Sequence, residues 1–390
     1  MQLSIQSIQS HTSGNFSTRL YSCLDQIEMA TGNTNKHRQI VKATVFASCI
    51  DKQDYTLKMN LLNDLLTHYD NLQIPVSLIS QPPLENNIVM EVWLLDYTDT
   101  ELTFTFSRNE QASVLQIDSP EFSCLFSSQY AAKHLDFKQN AYDCFHLLDA
   151  TLLRTNFDYS DIVRQWNYIE DITVVNSGNN KCLQNYQIFN DLRTLFYQKS
   201  NFPNGYPAAT GIGMENGGCT IEVIALKEKT GNTVYPVTNA HQVDAHHYSP
   251  TVLIGNAIDE VKTISTPKFE RGKSMLFEQN GFLFISGTAS IIGELTAFPD
   301  DVAKQTQTTI QNIDHLIAAD NLVQNRLKTD CKPVINNYRV YLKNEADYSI
   351  VKPLCDAHFG TENGIFVKAG ICRDNLLIEI EANYRFQANR

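Results

Sequence analysis

Apolar and polar positions sort most clearly beyond residue 85. Residues 88–95 and 102–106 are runs rich in β-branched and aromatic side chains and predict strands. The first 85 residues are more polar. Their one clear period is helical, with Leu57, Leu61, Leu62, Leu65 and Leu66 on one face.

From about residue 139 the pattern repeats. In the first copy a helix containing Gln139, Ala141, Leu147, Leu148, Asp149 and Leu153 precedes a strand over 163–169, a helix over 186–197 and a strand over 220–225. The second copy has a helix over 302–316, a strand over 337–342, a helix over 348–359 and a strand pair ending at 377–382. Matching the copies sets Asp149 against Asp314, Tyr168 against Tyr341, Phe196 against Phe359 and Glu222 against Glu379.

Each copy has two long helices. The short turn Cys372-Arg373-Asp374-Asn375 joins the last two strands of the second, so those strands are expected to be antiparallel neighbours. The pattern therefore predicts an α+β architecture with helices packed on one face of mixed sheets. The chain divides into residues 1–235, an N-terminal segment plus the first unit, and residues 236–390, the second unit. A groove between the copies is the natural place for a ligand.

Composition narrows the classes. With 390 residues, 43% of them apolar, the chain has material for two cores, and a net charge of −12 without a basic stripe argues against nucleic acid as a partner. The N-terminus lacks the basic and apolar regions of a secretory signal, and no run of apolar residues is long enough to span a bilayer. A cytoplasmic protein that does not enter a membrane is expected. The nine cysteines are scattered and form no C-x-x-C pair, so neither a disulfide framework nor a structural zinc site is expected. Oligomeric state is left open.

Several residues could carry chemistry. Glu379 sits on a strand between Ile378 and Ile380, where desolvation would raise its pKa and supply a proton donor near neutral pH; the bland alternative is a solvent-facing strand glutamate. Arg164, Arg193 and Arg339 would suit a small dicarboxylate, since a guanidinium pairs bidentately with a carboxylate, although each taken singly reads as a surface ion-pair partner. The stretches Pro207-Ala208-Ala209-Thr210-Gly211-Ile212-Gly213 and Ser286-Gly287-Thr288-Ala289-Ser290 let backbone approach a ligand closely, yet match no phosphate-binding signature. Three histidines, His241, His246 and His247, lack the spacing of a zinc protease, so no metal site is expected.

Four segments together resemble the chorismatase family: Arg164-Gln165-Trp166-Asn167-Tyr168-Ile169, Tyr186-Gln187-Ile188-Phe189-Asn190-Asp191-Leu192-Arg193, the stretch from Pro207 to Gly213, and Cys372-Arg373-Asp374-Asn375-Leu376-Leu377-Ile378-Glu379. The resemblance covers about residues 135–390. It implies two units of the Rid/YjgF-like, chorismate-mutase-like kind and a reaction that takes the enolpyruvyl group off chorismate as pyruvate, without metal or organic cofactor. By the same resemblance Glu379 protonates the enol ether methylene. One branch of the family hydrolyses the ether to a dihydroxycyclohexadiene acid, and another lets the ring aromatise to 3-hydroxybenzoate. A cysteine at Cys372 is similar to the aromatising branch. The substrate contacts implied are Arg193, Arg339, Tyr186, Tyr248, Thr210 and Gly211. After Tyr248, where the family usually continues through Tyr-Gly-Pro, this chain has Val252-Leu253-Ile254-Gly255-Asn256-Ala257.

Two other readings compete. An imine deaminase of the same fold needs an arginine on a late strand, where this chain offers Lys368. A catalytically silent small-molecule binding protein would keep the cleft and lose turnover.

Overall fold

The structure, a computed structural model, describes residues 1–390 except 11, 32–36, 70–71, 99–100, 179–180, 230–233, 278–279, 328–331 and 388–390; Cys331 therefore lies outside the described residues. Three runs of elements follow one plan. The first comprises β1 (Gln2–Gln9), α1 (Phe16–Thr31), β2 (His37–Ala47), α2 (Lys52–Leu66), β3 (Val76–Ser80) and β4 (Ile88–Tyr97).

The second opens with β5 (Thr103–Arg108) and β6 (Ala112–Asp118). It continues through β7 (Phe122–Ala131), α3 (Phe137–Arg154), β8 (Ile162–Glu170), the small hairpin β9 (Val175–Gly178) and β10 (Lys181–Gln184), α4 (Asn185–Tyr197), β11 (Ala208–Met214) and β12 (Cys219–Glu228). The third begins with β13 (Val234–Val237), β14 (Gly272–Phe277), β15 (Asn280–Ala289) and the short pair β16 (Ile291–Ile292) and β17 (Leu295–Thr296). After these come α5 (Val302–Ile317), α6 (Ala319–Gln324), β18 (Val334–Leu342), α7 (Tyr348–Phe359), β19 (Gly364–Lys368) and β20 (Ile378–Gln387).

The shared part of each sheet has the orders β1-β4-β2-β3, β7-β12-β8-β11 and β15-β20-β18-β19. In each, the last two strands of the order run parallel, and the other pairs are antiparallel. The α+β architecture expected from the pattern is thus present, and the two like units read from the repeat are the second and third runs. The first hundred residues add a further unit of the same order.

Strand alternation decides where side chains go. On β20, Ile378, Ile380, Ala382 and Tyr384 lie in the core under α5 and α7, with Leu316, Val351 and Phe359. Glu379, Glu381 and Asn383 therefore face the opposite way, toward the middle of the molecule. On β8 the same logic turns Arg164, Trp166 and Tyr168 inward. The inner faces of the three sheets meet in one core, where Trp93 packs edge-on to Trp166 with ring centroids 5.7 Å apart and against Phe282 at the same distance.

That centre also holds a ring of ion pairs. Glu222 pairs with Lys42 at 2.8 Å, Glu381 with Arg164 at 2.8 Å, and Glu91 with Arg339 through both carboxylate oxygens. Each glutamate is thus gripped by a cation from a different sheet. Burial lowers the pKa of Lys42 and of Arg164, and the facing carboxylates oppose that shift. No described helix is long and apolar enough to cross a membrane.

Two expectations need correcting. β19 and β20 are not neighbours, because β18 lies between them: residues 369–377 form a loop long enough to step across its end. The repeat also matches differently. Tyr341 lies opposite Glu379, whereas Tyr168 lies opposite Thr220, so with the tyrosines equated Glu379 corresponds to Thr220 and Glu222 to Glu381. Glu222 and Glu381 share the ion-pair ring, and Glu379 stands outside it.

Candidate active site

A cavity partly open to solvent lies between the second and third units. From the second unit Tyr186, Gln187 and Asn190 reach it on α4, and Ala209 and Gly211 on β11. From the third come Gly287 and Ala289 on β15, Cys372 and Arg373 on the loop after β19, and Glu379 at the start of β20. The segment between β13 and β14 covers it with Tyr248, Val252, Leu253, Ile254, Pro267, Phe269 and Arg271.

Small residues make the room. A side chain on Gly287 would collide with the Glu379 carboxylate, and a Cβ on Gly211 would sit 3.0 Å from the Tyr186 ring. The glycines admit the acid and the phenol to the same space.

Glu379 is 4% exposed. Burial pushes its carboxyl up to about 8, and the charge of Glu381 pushes the same way, while Arg164 and Arg271 pull it down. The acid is therefore protonated at neutral pH, as its place between two isoleucines suggested. Cys372, pushed up to about 12 by burial first and by Glu379 second, stays a neutral thiol rather than a thiolate.

Two guanidinium groups frame the mouth. Arg271 donates to the Tyr248 hydroxyl and to the Val243 carbonyl, both at 2.6 Å, and its buried Nε has no hydrogen-bond partner. Arg373 donates to the Glu294 carbonyl at 2.8 Å. Both lie over the Tyr248 ring, at 5.5 Å and 5.3 Å from its centroid.

Of the expected site residues, Glu379, Cys372, Tyr186, Tyr248 and Gly211 line the cavity. Arg339 does not, because it is bound to Glu91 in the central ring and donates to the Tyr168 hydroxyl at 2.7 Å. Arg164 is likewise interior, giving a 2.6 Å bond to Thr210 and the salt bridge to Glu381. Thr210 lies one layer behind the wall, where its hydroxyl binds Glu381 at 2.6 Å and accepts Gly287 N–H at 3.0 Å. Arg193 is buried behind Asn190, to whose side-chain oxygen it donates at 2.5 Å. Arg271 and Arg373 escaped the sequence reading as ligand groups. Arg373 lies within the quoted segment Cys372–Glu379, and that position was the available signal.

Fold and site together define an α+β protein of repeated sheet units with one neutral carboxyl facing a cleft between two of them. Residues 100–225 match the family model described as chorismatase FkbO/Hyg5-like, N-terminal. A 3-hydroxybenzoate synthase of Streptomyces hygroscopicus is 28% identical over 316 residues, 77% of this chain and 84% of that protein. A chorismatase of Streptomyces rapamycinicus is 30% identical over 228 residues, 57% of this chain and 64% of the relative. A chorismatase crystal structure superposes with a TM-score of 0.71 at 18% identity, covering 98% of this chain and 99% of that one, a likeness of fold. The chain is thus similar in sequence over these spans, and in fold over nearly its whole length, to chorismatases.

Proposed function

We propose that the protein converts chorismate to pyruvate and 3-hydroxybenzoate. The observation that carries this reading is the Glu379 carboxyl, pushed up to about 8 in a cavity framed by Arg271 and Arg373. A relative matched over 77% of this chain and 84% of its own length is a 3-hydroxybenzoate synthase.

In this mechanism the Glu379 carboxyl gives its proton to the terminal methylene of the enolpyruvyl ether. Positive charge develops on the adjacent ether carbon, and the carboxylate left behind stabilises it. The C4 hydroxyl oxygen then attacks ring C3 and the C3–O ether bond breaks, so that pyruvate leaves with the ether oxygen and the hydroxyl proton returns to the Glu379 carboxylate. The resulting 3,4-epoxide opens at its C4–O bond, and the C3 proton is lost to restore aromaticity while the oxygen left on C3 is protonated as the phenol. The atoms of chorismate equal those of the two products, so the aromatic route consumes no water. Hydrolysis to the dihydroxycyclohexadiene acid consumes one. The neutral Cys372 thiol and the apolar wall of Val252, Leu253 and Ile254 support the route without water.

Arg271 and Arg373 take the place that Arg193 and Arg339 held among the expected carboxylate partners. Arg193 acts through Asn190. Tyr186 and Tyr248 present phenols to the ligand, and Gly211 lets it approach the β11 backbone. No step needs a metal or organic cofactor. Protein mixed with chorismate is expected to release pyruvate, followed by a coupled lactate dehydrogenase assay, with the aromatic product identified by chromatography. Pyruvate appearing with the diene acid alone would assign the hydrolase reaction, and tight chorismate binding with no pyruvate would assign a silent binding protein.

A further inference from the structure

The cover segment holds a cluster that the cleft chemistry does not use. Asp244 precedes the single 3₁₀ turn Ala245–His247, and the turn is fixed at both ends: His247 N–H donates to the Asp244 carbonyl at 2.8 Å, and Thr266 Oγ1 donates to the His246 carbonyl at 3.0 Å. Ligand atoms of Asp244, His246 and His247 all lie within 4.8 Å of one another. The two imidazoles are tilted by 60° with centroids 4.2 Å apart.

Two polar atoms of these residues lack a hydrogen bond, although both residues also feel the Glu270 carboxylate. Asp244 Oδ1 and His246 Nδ1 are buried, and neither has a hydrogen-bond partner. A carboxylate oxygen only accepts, so a buried one calls for a donor or a cation. Two imidazoles and a carboxylate are the donor set of a borderline divalent ion, and three protein ligands leave the fourth tetrahedral position to water.

We propose that Asp244, His246 and His247 form a binding site for one divalent ion of the zinc type. The sequence spacing argued against a zinc protease site, and this site differs from one: its ligands come from one tight turn, without a helix or a general base between them. The turn lies in the same short segment as the Val243 carbonyl and the Tyr248 hydroxyl that hold Arg271. Binding of the ion therefore fixes the cover of the cleft rather than taking part in the reaction.

The test uses untagged full-length protein stripped with chelator and titrated with zinc ion in a calorimeter. One site per chain is expected. His247→Ala, at an exposed position, and Asp244→Asn are each expected to weaken binding at least tenfold, while His241→Ala, whose ring stacks on His315 3.9 Å away, leaves it unchanged. Cobalt substituted for zinc should show four-coordinate visible bands without a thiolate charge-transfer band, which separates this site from the exposed Cys182. Circular dichroism confirms that each variant is folded. Absence of binding, or equal binding by wild type and His247→Ala, would overturn the proposal. Pyruvate release is measured separately, so the outcome is independent of the catalytic reading.

Discussion

In the proposed mechanism Glu379 carries the chemistry because three local conditions act on one carboxyl. The alternation of β20 turns it away from the helices, Gly287 leaves room for it, and burial beside Glu381 keeps its proton on. Glu379→Gln keeps the shape but removes the transferable proton, so pyruvate release should fall at least about a thousandfold, within the usual range for losing a general acid. Residual activity near wild type would move the acid elsewhere. The raised pKa also fixes a sign. Turnover needs the protonated form, so kcat should be flat at neutral pH and decline as pH rises through about 8. Stability shifts the same way: the folded pKa lies above the unfolded value, so ionising Glu379 increasingly destabilises the wild type from about pH 5 and saturates above pH 8. The melting temperature of Glu379→Gln should therefore gain on wild type across that window. Cys372→Ala tests the branch of the reaction, with a shift of product toward the diene acid expected and an unchanged ratio marking a packing residue.

At the scale of elements, long periodic segments were legible. Helices read over 186–197, 302–316 and 348–359 correspond to Asn185–Tyr197, Val302–Ile317 and Tyr348–Phe359. The strand carrying Glu379 was placed correctly, but its counterpart was not. A strand repeats every two residues, so a slip of two leaves every side chain on the same face, and the pattern cannot tell Glu379 from Glu381. Register against Tyr341 can. The arginines were illegible for a different reason: whether a guanidinium meets substrate or a buried carboxylate depends on another unit of the fold. Arg339 is matched to Glu91, 248 positions away in the chain. The pairing of β19 was missed because a turn motif at the middle of a longer loop was taken as the whole connection. The element holding the cleft open is testable through Gly287→Ala, whose methyl group collides with the Glu379 carboxylate. It should cost activity by at least about tenfold, which corresponds to only 1.4 kcal/mol of misplaced acid.

Across the whole molecule, three units of one plan carry one acid. The position of Glu379, opposite Ala289, is held in the second unit by Thr220 opposite Tyr130 and in the first by Val89 opposite Gln9. The large Tyr130 stands at the position where the third unit has the small Ala289, and the ring of Tyr55 closes on Gly217. One equivalent of a substrate analogue per chain is expected by calorimetry, and two or three would show that a sister interface also binds. The first unit escaped the sequence reading because its inward strands carry Lys42, Thr44 and Glu91, which are buried only as members of the shared ring. That ring ties the units together. Glu91→Gln leaves Arg339 without its bidentate partner, a change expected to cost about 3–5 kcal/mol. It should lower the denaturation midpoint of the chain in a single transition; an unchanged midpoint would remove the ring from the account of stability.

The most direct measurement is the incubation of purified wild type and Glu379→Gln with chorismate, with pyruvate and aromatic product quantified together at pH 7. The account predicts equimolar pyruvate and 3-hydroxybenzoate from the wild type and neither from the variant. Wild-type protein that releases no pyruvate, or a variant that matches it, would contradict the claim that this carboxyl delivers the proton.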